Sequence, residues 1–278
     1  KSTQWAMIFG GGDGAGAVDL FEATLAAGTA LDAAASSWTV NTTPIVARVV
    51  GQWDEIGIEV PSYQKIGSTE YLFYTGYNGT GVAGTDTFYI GRLTKTGGNW
   101  TRDGDPVMTN TEAWEAITGV GFLSEPSTWY DEKTKILHMW YTTGSPLVIA
   151  HAESTDNGVT WTNKTKVFSL GIVWSGSVAK VGSKFFMVYS TFQSTPIEVT
   201  AGLYVIESDG PGKDNLDWKH PRQVLSITNG GRRWHAAHAY GPCITYEPKK
   251  GKYICFFTGR DPVNLATKPH IGRFDIPL

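Results

Sequence analysis

The feature that most restricts this chain is a phrase it repeats. Residues 53–77 run WDEIGIEVPSYQKIGSTEYLFYTGY, two stretches of β-branched and aromatic residues joined by a Gly-containing turn at Lys65-Ile66-Gly67-Ser68. That is the pattern of a β-hairpin. The phrase returns at 125–130 leading into 136–141, at 175–180 leading into 185–189, and at 241–246 leading into 253–257. Third strands are predicted after each hairpin, at 88–93, 147–152, 203–207 and 270–275. A fourth strand begins near a Trp: Trp38, Trp100, Trp161 and Trp218 stand 62, 61 and 57 residues apart. Phe9, Tyr74, Tyr141, Tyr189 and Phe257 mark the second strands. Together these predict an all-β chain, a five-bladed β-propeller of four-stranded antiparallel blades forming one domain over residues 1–278. A sandwich also has many short strands, but it gives no reason for a Trp at a fixed place in every unit. Residues 5–9 read as a second strand, so the first blade lacks its innermost strand; the last lacks its outer one. The Ala- and Gly-rich stretch 14–37 is expected to be third strand and loop, not helix.

Composition narrows the function. With 33 glycines in 278 residues and only 18% charged residues, the chain suits tight turns between short strands. Its 11 Trp, 12 Tyr and 12 Phe fill a core, and aromatic faces also suit sugars. A net charge of −3 offers no basic patch for phosphates, which disfavours nucleic acid. No apolar run is long enough for a membrane helix. Lys1 opens no signal-peptide pattern, as expected of a mature or trimmed chain. Asn-x-Ser/Thr sequons at Asn41, Asn78, Asn99 and Asn163 are compatible with export. Cys243 and Cys255 face each other if residue 247 pairs with 251, and are either two buried thiols or a cross-strand disulfide. No metal or other cofactor is expected.

Propeller geometry sorts the loops onto two faces. Side chains that immediately precede first strands ring the axis on one of them, and Glu59, Glu125, Trp174 and His238 meet that condition. Two carboxylates from adjacent blades can act as general acid and base, or as acid and nucleophile, across a glycosidic bond. Their mutual repulsion and burial would raise one pKa, as an acid requires. Asp13 and Asp54 fall on the same face. So does the run Arg232-Arg233-Trp234-His235-Ala236-Ala237-His238, which could grip hydroxyls or a carboxylate and stack a sugar ring. Residues 154–161, STDNGVTW, fit the Asp-box pattern S-x-D-x-G-x-T-W. They fall on the opposite face and read as a structural turn.

E-V-P-S-Y-Q-K at 59–65, S-E-P-S-T-W-Y-D at 124–131, the Y-T-G and Y-T-T strand ends at 74–76 and 141–143, I-G-R at 90–92 and I-A-H-A-E-S-T-D-N-G-V-T-W at 149–161 carry a resemblance. The chain resembles the five-bladed propeller superfamily of arabinanases, invertases and levansucrases, especially glycoside hydrolase families 43 and 32. The resemblance implies a secreted enzyme acting on an oligo- or polysaccharide. It implies three carboxylates at inner strand starts: a base, a pKa-tuning Asp and an acid Glu. Glu59 matches the acid phrase, and Glu125 stands where the Asp is usual. The first blade's inner strand, where the base is expected, is absent, leaving Asp54 or Asp13 as substitutes. Trp53, Trp174, Arg233, Trp234, His235 and His238 would hold the sugar. The alternative is a non-catalytic carbohydrate-binding propeller; a sialidase fits less well, with one Asp-box and five blades.

Overall fold

The computed structural model describes residues 4–12, 17–168, 173–191, 201–226, 238–260 and 270–276. Among these the regular structure is strand, apart from one 3-10 turn at Ala35–Ser37. Strands β1 (Trp5–Gly12), β2 (Val18–Leu25), β3 (Trp38–Val40), β4 (Gly57–Ile66), β5 (Thr69–Tyr77), β6 (Phe88–Thr96) and β7 (Asn99–Arg102) share one seven-stranded sheet. Its order is β1-β2-β4-β5-β6-β7, with β3 also on β2. A short ribbon, β8 (Ala116–Ile117) and β9 (Val120–Gly121), follows. Next come a four-stranded sheet of β10 (Leu123–Asp131), β11 (Ile136–Thr143), β12 (Val148–Ser154) and β13 (Thr162–Phe168), and another of β14 (Val173–Val181), β15 (Lys184–Thr191), β16 (Gly202–Ser208) and β17 (Lys219–Ser226). The last sheet has three strands, β18 (His238–Glu247), β19 (Lys252–Arg260) and β20 (His270–Ile276).

The Trp ruler holds: Trp38 opens β3, Trp100 lies in β7, and Trp161 and Trp218 stand just before β13 and β17. The stretch read as strand and loop is β2 and the turns after it. One feature differs from a row of separate blades. The first three strands join the next four through a parallel pair, Val18 with Gly57, and the Val18 N–H donates to the Ile56 carbonyl.

The chain clusters into two compact units. The first holds residues 1–137, 143–145 and 154–161; the second holds 138–142, 146–153 and 162–278. In the first, Leu20, Ile58, Leu72, Tyr74 and Leu93 form a buried cluster against which Ile8, Trp53 and Trp100 pack. In the second, Phe186, Val188, Leu203, Val205, Ile244, Cys255 and Phe257 do the same. Alternation explains both clusters, since residues two apart on a strand share a face.

The first strands share a backbone irregularity that the sequence does not reveal. Val60, Glu125, Ser175 and Gly241 all take positive φ, at 49°, 58°, 51° and 59°. The register slips beside three of them, between Glu59 and Ser62, Trp174 and Gly176, and Tyr240 and Cys243. Each is a β-bulge, a device that re-aims side chains near sites. Left-handed backbone costs a non-glycine residue roughly 1–2 kcal/mol, most awkwardly the β-branched Val60.

Aligning the bulges corrects the expected equivalence. Glu59 corresponds to Ser124, Trp174 and Tyr240, while Glu125 corresponds to Val60. The expectation that Glu59, Glu125, Trp174 and His238 occupy one position is therefore off by one residue for Glu125 and by two for His238.

The last hairpin is also corrected by one residue. Glu247 pairs with Lys252, so Cys243 faces Phe256 and Cys255 faces Ile244. A one-residue slip moves side chains to opposite faces. Both cysteines are free thiols, and burial pushes the Cys255 thiol pKa up.

Candidate active site

The site begins with Glu59 on β4, one residue before its bulge. Thr75 on β5 lies opposite Glu59 in the register, and its Oγ1 accepts a 2.9 Å hydrogen bond from the Glu125 N–H. One fully buried threonine thus ties the strand of one glutamate to the backbone of the other.

Glu125 is 6% exposed. Burial of Glu59, and then the charge of Glu125, push the Glu59 carboxyl up from the usual glutamate range to about 7. A carboxyl in that state holds a proton near neutral pH and can deliver it, as a general acid must.

Tyr77 lies near enough to Glu59 to feel its charge. It faces Gly57 across the ladder, and a Cβ on Gly57 would lie 2.0 Å from the Tyr77 ring, so only glycine fits there. Burial raises the Tyr77 phenol, the charges of Glu59 and Asp86 raise it further, and Arg48 pulls the other way. Arg48 Nε is 2.7 Å from Asp19 Oδ1 on β2, beside the parallel pair that joins β2 to β4. Asp19, Arg48 and Tyr77 carry no motif. Only the junction of β2 with β4 brings Asp19 and Arg48 to this end of the sheet.

Asp54 is fully buried and has a different task. Arg102 pairs with its Oδ1, and the Tyr74 hydroxyl donates to its Oδ2 at 2.8 Å. Both oxygens are engaged. Trp53 is likewise packed: its indole N–H donates to the Gly104 carbonyl at 2.8 Å, and its ring stacks on Tyr74 at 5.9 Å. Trp53 holds β5 in place and offers no open ring face on the Tyr74 side.

In the second unit, Trp174 is half-buried on β14 and its carbonyl accepts from the Ser190 hydroxyl. His238 opens β18, with its side chain outside the described residues. Arg233, Trp234, His235 and Asp13 lie outside the described residues altogether.

The 154–161 segment forms a closed turn. Asp156 accepts bonds from the Val159 and Thr160 amides at 3.0 and 2.9 Å and from the Thr160 hydroxyl at 2.6 Å. Burial alone would raise the Asp156 carboxyl, but the bonds from Thr160, Ser154 and Val159 bring it down to about 2. Trp161 meets Phe73 edge-on at 5.7 Å. The aspartate is consumed by its own turn.

A second cluster escapes the sequence reading. His138, His151 and Glu153 bring their ligand atoms within 4.8 Å of one another in the second unit. His151 and Glu153 fall within the 149–161 phrase, where nothing signals that His138 stands beside them.

No protein-family profile matches the sequence, and no curated protein matches it. Solved structures do. BT0996, in its RGII complex, superimposes with a TM-score of 0.74 at 14% identity, over 99% of this chain and 84% of that one. The endo-arabinase of Bacteroides thetaiotaomicron gives 0.67 at 11% identity over 99% and 90%. The native arabinanase Arb43A of Bacillus subtilis gives 0.65 at 14% over 99% and 91%. The chain has the β-propeller fold of the arabinanases. At these identities the likeness concerns the path of the backbone, and the chemistry must come from this chain's own side chains. Among the described residues no helix is long and apolar enough to cross a membrane.

Proposed function

We propose that this protein is an exported glycoside hydrolase that cleaves an oligo- or polysaccharide, with Glu59 as general acid and Glu125 as its ionised partner. The observation that carries this reading is the pair itself: two glutamates linked through Thr75, one of them pushed up to about 7 by burial and by the other's charge. Glu59 would protonate the leaving glycosidic oxygen. Glu125 would serve as base or as the charge that keeps Glu59 protonated. Asp54 enters as the acid that fixes Arg102 and Tyr74 beneath the site, a positioning residue in place of a third catalytic carboxylate.

The experiment is hydrolysis of a panel of arabinan, xylan and RGII oligosaccharides by the wild type and by Glu59→Gln. Turnover by the wild type that is lost in the variant supports the proposal. Sugar binding without turnover in either protein supports instead a carbohydrate-binding propeller, a reading favoured by the engagement of both Asp54 oxygens.

A further inference from the structure

His138, His151 and Glu153 are 2%, 1% and 6% exposed, and they face one another from β11 and β12. His151 and Glu153 are two residues apart, which puts them on the same face of their strand. His138 Nδ1 lies 3.0 Å from His151 Nε2 and 3.7 Å from Glu153 Oε1. Four ligands held tetrahedrally at zinc–nitrogen and zinc–oxygen bond lengths stand about 3.3 Å apart, so the two observed separations bracket that value.

The surroundings also fit an ion. Glu153 Oε1 is buried beside His138 Nδ1, and a carboxylate oxygen so placed calls for a cation. Asn163, at a positive-φ position of β13, turns its amide to donate to Glu153 Oε2 at 2.7 Å, the kind of outer partner that orients a ligating carboxylate. Trp140 packs 5.3 Å from the His151 ring, and Trp140 and Trp218 both donate to the Gly212 carbonyl, closing the cluster from solvent. One cation is already present: Lys213 Nζ pairs with Glu153 Oε1, and its side chain is 49% exposed, free to withdraw into water.

We propose that His138, His151 and Glu153 form a binding site for one divalent transition-metal ion of the zinc class, with the Lys213 ammonium as the competing cation. Two imidazoles and one carboxylate suit zinc better than calcium or magnesium, which prefer oxygen. A site wholly within one sheet would brace its strands, since binding to the folded state alone adds stability.

The test uses the full chain, stripped with a chelator, reloaded with Zn2+ alone and assayed for bound metal by mass spectrometry and for thermal unfolding. The wild type should retain about one zinc per chain, with a raised Tm. Asn163→Ala should weaken zinc binding by roughly 10–100-fold. Lys213→Met should bind zinc at least as tightly as the wild type, while His151→Asn should lose it. Co2+ loaded in place of zinc should give the visible absorption of a tetrahedral nitrogen and oxygen site. Should His151→Asn fail to fold, Asn163→Ala and the cobalt spectrum still decide the matter. Failure of the wild type to retain zinc, or retention unaltered in both Asn163→Ala and His151→Asn, overturns the proposal.

Discussion

The inner strands of the two units use the same backbone device and put different chemistry on it. In the first unit the amide of Glu125, a positive-φ residue, donates to Thr75 Oγ1 at 2.9 Å, and the Thr128 amide donates to Ser62 Oγ at 2.9 Å. In the second unit the Ser175 amide, at the matching bulge, donates to Thr142 Oγ1 at 3.0 Å, and the Ile244 amide donates to Ser177 Oγ at 3.0 Å. The bulge and its hydroxyl acceptors therefore belong to the fold. What distinguishes the first unit is the pair of side chains: glutamates at 59 and 125, against Trp174 and Ser175. A repeated scaffold fixes where side chains go, and the acid–base function proposed here rests on a few substitutions on it.

The largest effect should come from the acid. Glu59→Gln should lower kcat for polysaccharide hydrolysis by about 10²–10⁴-fold, the usual contribution of a positioned proton donor. Ser175→Ala in the matching place of the second unit should leave kcat nearly unchanged; steady-state kinetics on both variants decides this.

Next is the buried charge under the site. Arg102→Met leaves Asp54 fully buried without its cation and should destabilise the protein by about 3–5 kcal/mol. Asp54→Asn should cost somewhat less, because the amide can still meet Tyr74. Chemical denaturation measures both.

The third prediction concerns pH. Glu59 is raised in the folded state, so the native protein holds its proton more tightly than the unfolded chain does. Its contribution is fully present below the unfolded value of 4.5 and is lost as pH rises through about 7. Above that pH Glu59→Gln should be more stable than the wild type by about 3 kcal/mol, at 1.36 kcal/mol per pKa unit. Below pH 4 the difference should vanish.

The smallest effect separates scaffold from site most sharply. Thr75→Val and Thr142→Val each remove one buried acceptor and should each cost about 1–3 kcal/mol. Only Thr75→Val should also shift the alkaline limb of the pH–rate profile, because only Thr75 connects to the two glutamates.

How much of this can be read from the sequence follows from what each signal depends on. The strands and their order are legible because alternation and the Trp spacing are local, and the 154–161 turn is legible because every group it uses lies within it. The candidacy of Glu59 can be read for the same reason, since it stands at the start of a repeated phrase. The bulges are not: Val60, Glu125 and Ser175 take backbone that composition does not announce, which is why the Glu59–Glu125 equivalence read from the repeat is one residue off. The register of the last hairpin is misread for a similar reason, since its turn holds Glu247 opposite Lys252. Asp54 looks like a catalytic acid in the sequence because its partners Tyr74 and Arg102 lie 20 and 48 residues away. Asp19 with Arg48, and the His138–His151–Glu153 cluster, depend on contacts between strands that no motif records.

The most direct test is the proton on Glu59, followed by carbon-detected NMR of its side-chain carboxyl across a pH titration in the wild type and in Glu125→Gln. A midpoint near 7 in the wild type, falling when the Glu125 charge is removed, is the expected result. A midpoint near 4.5 in both proteins would contradict it, and with it the assignment of Glu59 as the acid.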